Sequence, residues 1–294
     1  MKPTPLSTLE TIHLDGWELI KESPSANIYR TCLPSREEED IQKHLSIFEN
    51  YSLEQHYKNN QLHGLSIGRM NQAFFHFPDY QSKIYLIERY HQGKLEGTSE
   101  HYYKDGTRVH QKWKSDQLHG KTMAWFPNGQ KEKEQHFTNG KKDGQQFQWY
   151  DNGQLKLAEN FKAGKPSGES HKYLANGLLK RKKAYKNGKI QGIVYELWDY
   201  NGQPVEGGIY SETEYKNDLP HGKEIVYFSD HTKMREGSHV NGLVEGEKIW
   251  WNQNGTISIK EYYKNGELEG QRLLYDENGD LENVQHYENG ARIS

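Results

Sequence analysis

The sequence contains a single cysteine, Cys32, among 294 residues, and it lacks any long apolar run. One cysteine excludes an intramolecular disulfide framework and a cysteine-based zinc site, and it suits a reducing compartment. No stretch approaches the roughly 18 apolar residues that a membrane-spanning helix needs, and the first residues lack the apolar segment of a signal peptide. We therefore expect a soluble, cytoplasmic protein.

Aliphatic residues are also scarce. Hydrophobic residues make up 33% of the chain and 12% of the chain is aromatic, while the mean hydropathy is -1.08. This composition is too polar for a thick core, yet 20 Tyr, 9 Phe and 7 Trp are too many for a disordered chain. The formal net charge of -3 provides no excess of basic charge for nucleic acid. An ordered but shallow architecture follows.

The dominant feature of the sequence is a repeat of about 24 residues. Most copies end in the pattern Tyr/Phe-x-x-Gly-x-x-x-Gly, as in Phe137–Gly144, Phe161–Gly168 and Tyr263–Gly270. We call the last glycine of this pattern the period glycine. The period glycines are Gly97, Gly120, Gly144, Gly168, Gly192, Gly222, Gly246 and Gly270. Their regular spacing is typical of a tandem repeat fold.

A second turn signal follows each period glycine by about nine residues, as in Asn128-Gly129 and Asn152-Gly153. Asn-Gly predicts a type I′ hairpin turn, because both residues tolerate a positive φ. Between the turns, apolar and polar residues alternate, as Phe147 and Trp149 do with their neighbours, which is typical of strands. We predict an all-β fold, an elongated single antiparallel sheet built from tandem β-hairpin repeats of about 24 residues.

The fifth residue after the period glycine is usually aromatic. This aromatic ladder comprises Tyr102, Trp125, Trp149, Tyr173, Tyr227, Trp251 and Tyr275. We expect the ladder to form the core, because a chain short of aliphatic residues has to bury its aromatic ones. A groove for a ligand is the alternative, since Tyr and Trp are favoured at binding sites.

The repeats do not extend over the whole chain. Residues 1–40 form a non-repeat N-terminal segment, which we interpret as a cap on the sheet edge. Residues 41–294 form an array of about nine to ten repeats, with insertions near residues 65–83 and 199–214. Insertions in repeat proteins form loops that often carry binding residues, although tolerated surface loops are the alternative. The candidate partner-binding residues are Phe74, Phe75, Phe77, Tyr80, Tyr200, Tyr210, Glu38, Glu39 and Asp40.

The histidines and lysines do not form a recognisable catalytic motif. His119 and His221 precede period glycines, and His63 precedes Gly64, the equivalent glycine of an earlier copy; other repeats carry Glu, Asp, Ser or Gln there, so we interpret these histidines as turn residues. No zinc-protease, nucleophile-elbow or phosphate-loop pattern occurs. We predict no catalytic, metal-binding or cofactor-binding residues. The basic run from Lys180 to Lys183 alternates between both faces of a strand, which favours a solvated surface over a nucleic-acid patch.

The patterns Tyr-x-x-Gly-x-x-x-Gly and Tyr/Trp-x-x-Asn-Gly resemble those of the MORN-repeat variant family over about residues 50–290. The resemblance implies a hairpin scaffold, and many bacterial members act as antitoxin or immunity proteins. The chain lacks the second glycine of the membrane-associated MORN consensus, as at Gly144-Gln145-Gln146. The resemblance thus implies a non-enzymatic scaffold that binds a protein partner, foremost a cognate toxin neutralised by occlusion. The alternative is a peripheral lipid-binding module; nucleic-acid and small-molecule partners are not expected.

Overall fold

The computed structural model describes residues 18–23, 26–32, 41–47, 51–70, 84–103, 105–198 and 208–294. The chain divides into two compact units. Unit 1 comprises Met1–Gln130 and Phe137–Gly140, and unit 2 comprises Lys131–His136 and Lys141–Ser294. All regular elements among the described residues are β-strands.

Unit 1 is an antiparallel arrangement in which successive long strands pair with each other, while each two-residue strand pairs with the long strand that precedes it. Its strands are β1 (Glu18–Ser23), β2 (Ala26–Cys32), β3 (Ile41–Ile47), β4 (Tyr51–Lys58), β5 (Gln61–Met70), β6 (Ile84–His91), β7 (Lys94–Leu95), β8 (Gly97–Tyr102), β9 (Arg108–Lys114), β10 (Gln117–Leu118) and β11 (Gly120–Trp125). Strand β12 (Lys131–Thr138) contributes to both units.

Unit 2 continues the same pattern of antiparallel hairpins. Its further strands are β13 (Lys141–Trp149), β14 (Leu155–Lys162), β15 (Lys165–Pro166), β16 (Gly168–Tyr173), β17 (Leu179–Lys186), β18 (Lys189–Ile190), β19 (Gly192–Trp198), β20 (Ile209–Lys216), β21 (Leu219–Tyr227), β22 (Lys233–Val240), β23 (Leu243–Val244), β24 (Gly246–Trp251), β25 (Ile257–Lys264), β26 (Glu267–Leu268), β27 (Gly270–Tyr275), β28 (Leu281–Glu288) and β29 (Ala291–Arg292). The predicted all-β fold of tandem antiparallel hairpins is confirmed.

The pairing of β16 with β17 illustrates how the repeat sorts side chains onto two faces. Ser170 pairs with Lys183 and Lys172 pairs with Arg181, so these four side chains share one face. Tyr173 pairs with Leu179, which leaves Lys180 as the extra residue of a β-bulge. Hairpins β13–β14, β24–β25 and β27–β28 carry the same irregularity.

We name the two faces of unit 2 by their residues. The polar face carries the second and fourth residues after each period glycine and their cross-strand partners, such as Ser170 and Lys172. The aromatic face carries the first, third and fifth residues and their partners, such as Trp149 and Trp251.

The two turns of each repeat differ from the prediction. Asn128-Gly129 is not a type I′ turn, because only Gly129 has a positive φ, of 84°. The N–H of Gly129 donates to the carbonyl of Phe126 at 2.9 Å, and the Asn128 side chain accepts the N–H of Gln130 at 3.0 Å. This side-chain contact gives Asn a local role that does not require a positive φ.

The type I′ turns lie instead at the other end of the hairpins, inside the motif that ends in the period glycine. Asn187 and Gly188 have φ values of 55° and 81°, and Asn265 and Gly266 have 52° and 86°. Two consecutive positive φ values match the twist of the flanking strands. The type I′ turn was therefore predicted at the wrong end of the hairpin.

The expectation that the aromatic ladder is the core is also corrected. All seven ladder aromatics are half-buried. The buried hydrophobic residues of the described chain are Ala124, Val194, Leu197, Ile209 and Val226. The second residue after the period glycine is buried in most repeats although it is usually polar, as at Ser99 and Gln146. Large rings on an open sheet face remain partly exposed to solvent, whereas smaller side chains are covered by their neighbours.

At six of the eight period glycines, the side chain of the preceding residue links its repeat to the next one. Glu245 Oε2 accepts the backbone N–H of Asn265 at 2.7 Å, and His221 Nδ1 lies 3.3 Å from the N–H of Asn241. Equivalent contacts join Glu96 to Ser115, His119 to Asn139, Asp143 to Ala163 and Glu269 to Asn289. The position requires a hydrogen-bond acceptor, which explains why His, Glu and Asp alternate there.

Candidate protein-binding face

Only one predicted partner-binding residue, Tyr210, lies among the described residues. The others lie outside them: Phe74, Phe75, Phe77, Tyr80, Tyr200, Glu38, Glu39 and Asp40. Tyr210 is in β20 and pairs with Leu197 on one side and Tyr227 on the other. It therefore belongs to the aromatic face of unit 2.

Tyr210 is the centre of a ring cluster. Its ring stacks on Tyr227, with centroids 4.7 Å apart and planes inclined by 14°, and lies 5.5 Å from the ring of Tyr195. Its hydroxyl is 2.7 Å from His231 Nδ1. Burial is the main cause that raises the pKa of Tyr210, and the neighbouring Tyr227 and Glu212 add to it. The neutral phenol is thus held in an ordered aromatic surface.

In unit 2, cationic side chains lie over two rings of the ladder. The ammonium of Lys131 lies 5.6 Å from the ring centre of Trp149, and Lys233 lies 5.5 Å from Trp251. These distances are typical of cation–π contacts. The ladder therefore presents indole rings with ammonium groups held close to them.

Exposed hydrophobic side chains are the feature that distinguishes the two faces. In the described strands of unit 2, every exposed large hydrophobic residue lies on the aromatic face by its pairing. These residues are Ile193, Leu219, Val240, Leu243, Tyr262, Leu281 and Val284. Ile193 is 56% exposed although it is in a strand. None of these residues is among the predicted partner-binding residues, although the two-residue alternation from the period glycine places them on one face.

Ion pairs lie beside the exposed hydrophobic groups. Glu236 accepts from Lys223 at 2.7 Å and from Lys233 at 2.6 Å. Burial raises the pKa of Glu236, but these two lysines outweigh burial and the net shift is downward. The face therefore combines apolar and aromatic groups with fixed charges, as protein interfaces do.

The polar face of unit 2 has a different chemistry. Its arginines pair with carboxylates across neighbouring strands, with Arg235 to Glu224 at 3.1 Å and Arg272 to Glu261 at 3.0 Å. Burial lowers the pKa of Lys248, and Arg235 lowers it further. Across the residues that the structure describes, no group of three His, Cys, Asp or Glu side chains is arranged to hold a metal ion.

Four segments match the MORN repeat variant. They are residues 118–139, 142–163, 244–265 and 268–289, so each match begins just before a period glycine and ends at the following type I′ turn. No curated protein matches the chain at a significant level. MORN variant repeats indicate a repeat scaffold, a class that often binds proteins or membranes. The described part of the chain contains no helix with the length and apolarity to cross a membrane.

Proposed function

We propose that the chain is a non-enzymatic, cytoplasmic scaffold that binds a protein partner through the aromatic face of unit 2. The one-sided distribution of exposed hydrophobic residues carries this proposal. Apolar side chains on the open face of a sheet lose solvent contact only when another molecule covers them. A partner protein can bury these apolar side chains and can place complementary charges opposite the neighbouring ion pairs.

The composition of the face supports a protein rather than a small ligand. Tyr and Trp dominate the energetics of protein interfaces, and ring groups held by stacking lose little conformational entropy on binding. A standard interface buries about 800 Å² per partner. The exposed residues from Ile193 in β19 to Leu281 in β28 are distributed over enough strands to meet that requirement.

We further propose that the partner is a toxin and that binding neutralises it by occlusion. Support comes from the resemblance to bacterial antitoxin and immunity proteins and from a binding face that needs no chemistry of its own. Inhibition then requires only that the aromatic face cover the toxin's active surface.

The test is co-expression with the product of the adjacent gene, with cell growth and co-purification as the two readouts. We expect the adjacent product to stop growth alone and the chain to restore growth. Tyr262→Lys and Leu281→Lys place a charge in the interface and are expected to weaken binding by at least about 2 kcal/mol. Asn283→Lys is the matched control, because Asn283 is exposed on the polar face of the same strand as Leu281.

The outcomes separate the two levels of the proposal. An adjacent product that co-purifies but is harmless would refute the immunity role and leave the scaffold. Full rescue and unchanged co-purification by both aromatic-face variants would show that another surface binds. Loss of binding by Asn283→Lys alone would place the interface on the polar face.

A further inference from the structure

A second surface feature is a depression of about 230 Å³ on the polar face of unit 2. It lies between the hairpins β13–β14 and β16–β17. The charged groups that line it are Lys156, Lys172, Arg181, Lys183 and Glu159. Four cations face one carboxylate, so the depression has an excess of positive charge.

The cations of this depression have few internal counter-charges. Among the described residues, Lys156, Lys172 and Lys183 form no ion pair with a carboxylate. Arg181 pairs with Glu196, but its Nε is buried and has no hydrogen-bond partner in the described part of the chain. The Ser170 hydroxyl donates to Glu159 at 3.4 Å.

The pKa of Lys172 also reflects the excess of positive charge around it. Burial lowers the pKa of Lys172 most, and the positive charges of Lys180, Arg181, Lys156 and Lys183 lower it further. By contrast, Glu224 and Glu261 partly offset the effect of burial at Lys248 on the same face. The depression around Lys172 thus concentrates unbalanced positive charge.

The other repeats show that the fold does not require this basic set. The residue equivalent to Lys183 is Glu159 one repeat earlier and Glu261 in a later repeat, and the residue equivalent to Lys172 is Gln148 one repeat earlier. The family match covers residues 142–163 but not the following repeat that supplies Lys172, Arg181 and Lys183. The excess of positive charge therefore occurs at this place and not in the equivalent positions of those repeats. Ligand binding explains these basic residues better than a requirement of the fold does.

We propose that this depression binds a small, soluble, multiply charged oxyanion of the phosphate class, held by Lys156, Lys172, Arg181 and Lys183. Flexible ammonium groups and an arginine N–H are suitable donors to phosphoryl oxygens, and charge-assisted hydrogen bonds are stronger than neutral ones. A soluble anion fits better than a lipid surface, because peripheral membrane binding combines basic groups with exposed apolar ones. In the described strands of unit 2, the exposed apolar residues lie on the opposite face.

The experiment is calorimetric titration of the full chain with pyrophosphate at an ionic strength of about 0.15 M. We expect saturable binding to one site, and Lys172→Gln or Lys183→Gln to weaken it about tenfold. Both variants remove a repelled cation and should remain folded. Pyrophosphate is also expected to raise the unfolding temperature of the native chain more than that of either variant.

The matched control is Lys182→Gln. Lys182 lies between Arg181 and Lys183 in β17, but it pairs with His171 and Tyr195 on the aromatic face. The substitution changes the net charge equally, so an affinity within about twofold of the native value supports a built site. Equal weakening by Lys182→Gln, no saturable binding by the folded native chain, or binding to anionic phospholipid vesicles without binding to pyrophosphate would overturn the proposal.

Discussion

The hydroxyl of Tyr210 lies 2.7 Å from Nδ1 of His231 and links β20 to the turn between β21 and β22. His231 has a φ of 68°, at a turn position that is glycine in other repeats. These glycines are Gly106, Gly129, Gly153, Gly177, Gly255 and Gly279. A histidine with a left-handed backbone is strained by about 1–2 kcal/mol. The contact with Tyr210 offsets part of that strain.

Tyr210→Phe removes the hydroxyl and keeps the ring stack on Tyr227. We expect the free energy of unfolding to fall by about 0.5–1.5 kcal/mol, measured by urea denaturation, because one hydrogen bond is lost. Tyr227→Phe is the control, since its hydroxyl has no hydrogen-bond partner within the described residues. An equal loss in both variants would show that the His231 contact contributes nothing.

His231→Gly relieves the backbone strain but removes the hydrogen-bond partner of Tyr210. In the native background we expect the two effects to cancel within about 1 kcal/mol. In the Tyr210→Phe background only strain relief remains, so the same substitution is expected to stabilise the protein by about 0.5–1 kcal/mol. Unfolding measurements on the four variants form a double-mutant cycle. Identical effects of His231→Gly in both backgrounds would contradict a coupling between the two residues.

The sequence predicted the repeat, the strands and the antiparallel hairpins because glycine spacing and two-residue alternation are local properties. It could not assign the turn types, since Asn-Gly occurs at both ends of the hairpin and only the flanking contacts differ. At Asn128 the side chain accepts the N–H of Gln130, and this contact replaces the predicted type I′ geometry.

The alternation of apolar and polar residues also could not predict which positions are buried. Alternation shows that Trp149 and Gln146 lie on opposite faces, but not which face is more enclosed. Hydrophobicity favours Trp149, yet Gln146 is buried, and its side chain donates to the carbonyl of His136 at 2.9 Å. The candidate binding face depends on the same exposure and was therefore only partly predictable, through Tyr210.

Glu245 gives a test of the link between successive repeats. Glu245→Ala removes the acceptor of the Asn265 N–H, and we expect a loss of about 0.5–1.5 kcal/mol in unfolding free energy. Glu245→His is expected to retain part of it, because His119 and His221 make the same contact in other repeats. Hydrogen exchange at the Asn265 amide is the direct measurement. Unchanged protection in Glu245→Ala would rule out the link.

Two equivalent serines of unit 1 provide a matched pair. Ser66 and Ser99 are each 1% exposed and each is the second residue after a glycine of the repeat pattern. Ser99 Oγ accepts the indole N–H of Trp113 at 2.8 Å, whereas Ser66 Oγ is buried without a hydrogen-bond partner among the residues that the structure describes. Ser99→Ala leaves a polar N–H unsatisfied and is expected to cost about 1–3 kcal/mol. Ser66→Ala is expected to be neutral or stabilising, and thermal unfolding that ranks the two variants in the opposite order would contradict this account.

The raised pKa of Tyr263 predicts that the stability of unit 2 decreases at alkaline pH. Burial, followed by the charge of Glu261 and the hydrogen bond to it, raises the pKa of Tyr263 from 10.0 to about 12. Below pH 10 the phenol is neutral in both folded and unfolded chains. Between pH 10 and about 12 the unfolded chain loses this proton first, so the free energy of unfolding falls as the pH rises. Tyr263→Phe removes this contribution, and urea denaturation in that window is expected to show a weaker pH dependence than in the native chain. Tyr275→Phe controls for the loss of a phenol on the other face, and a native-like pH dependence in Tyr263→Phe would show that Tyr263 is not the group responsible.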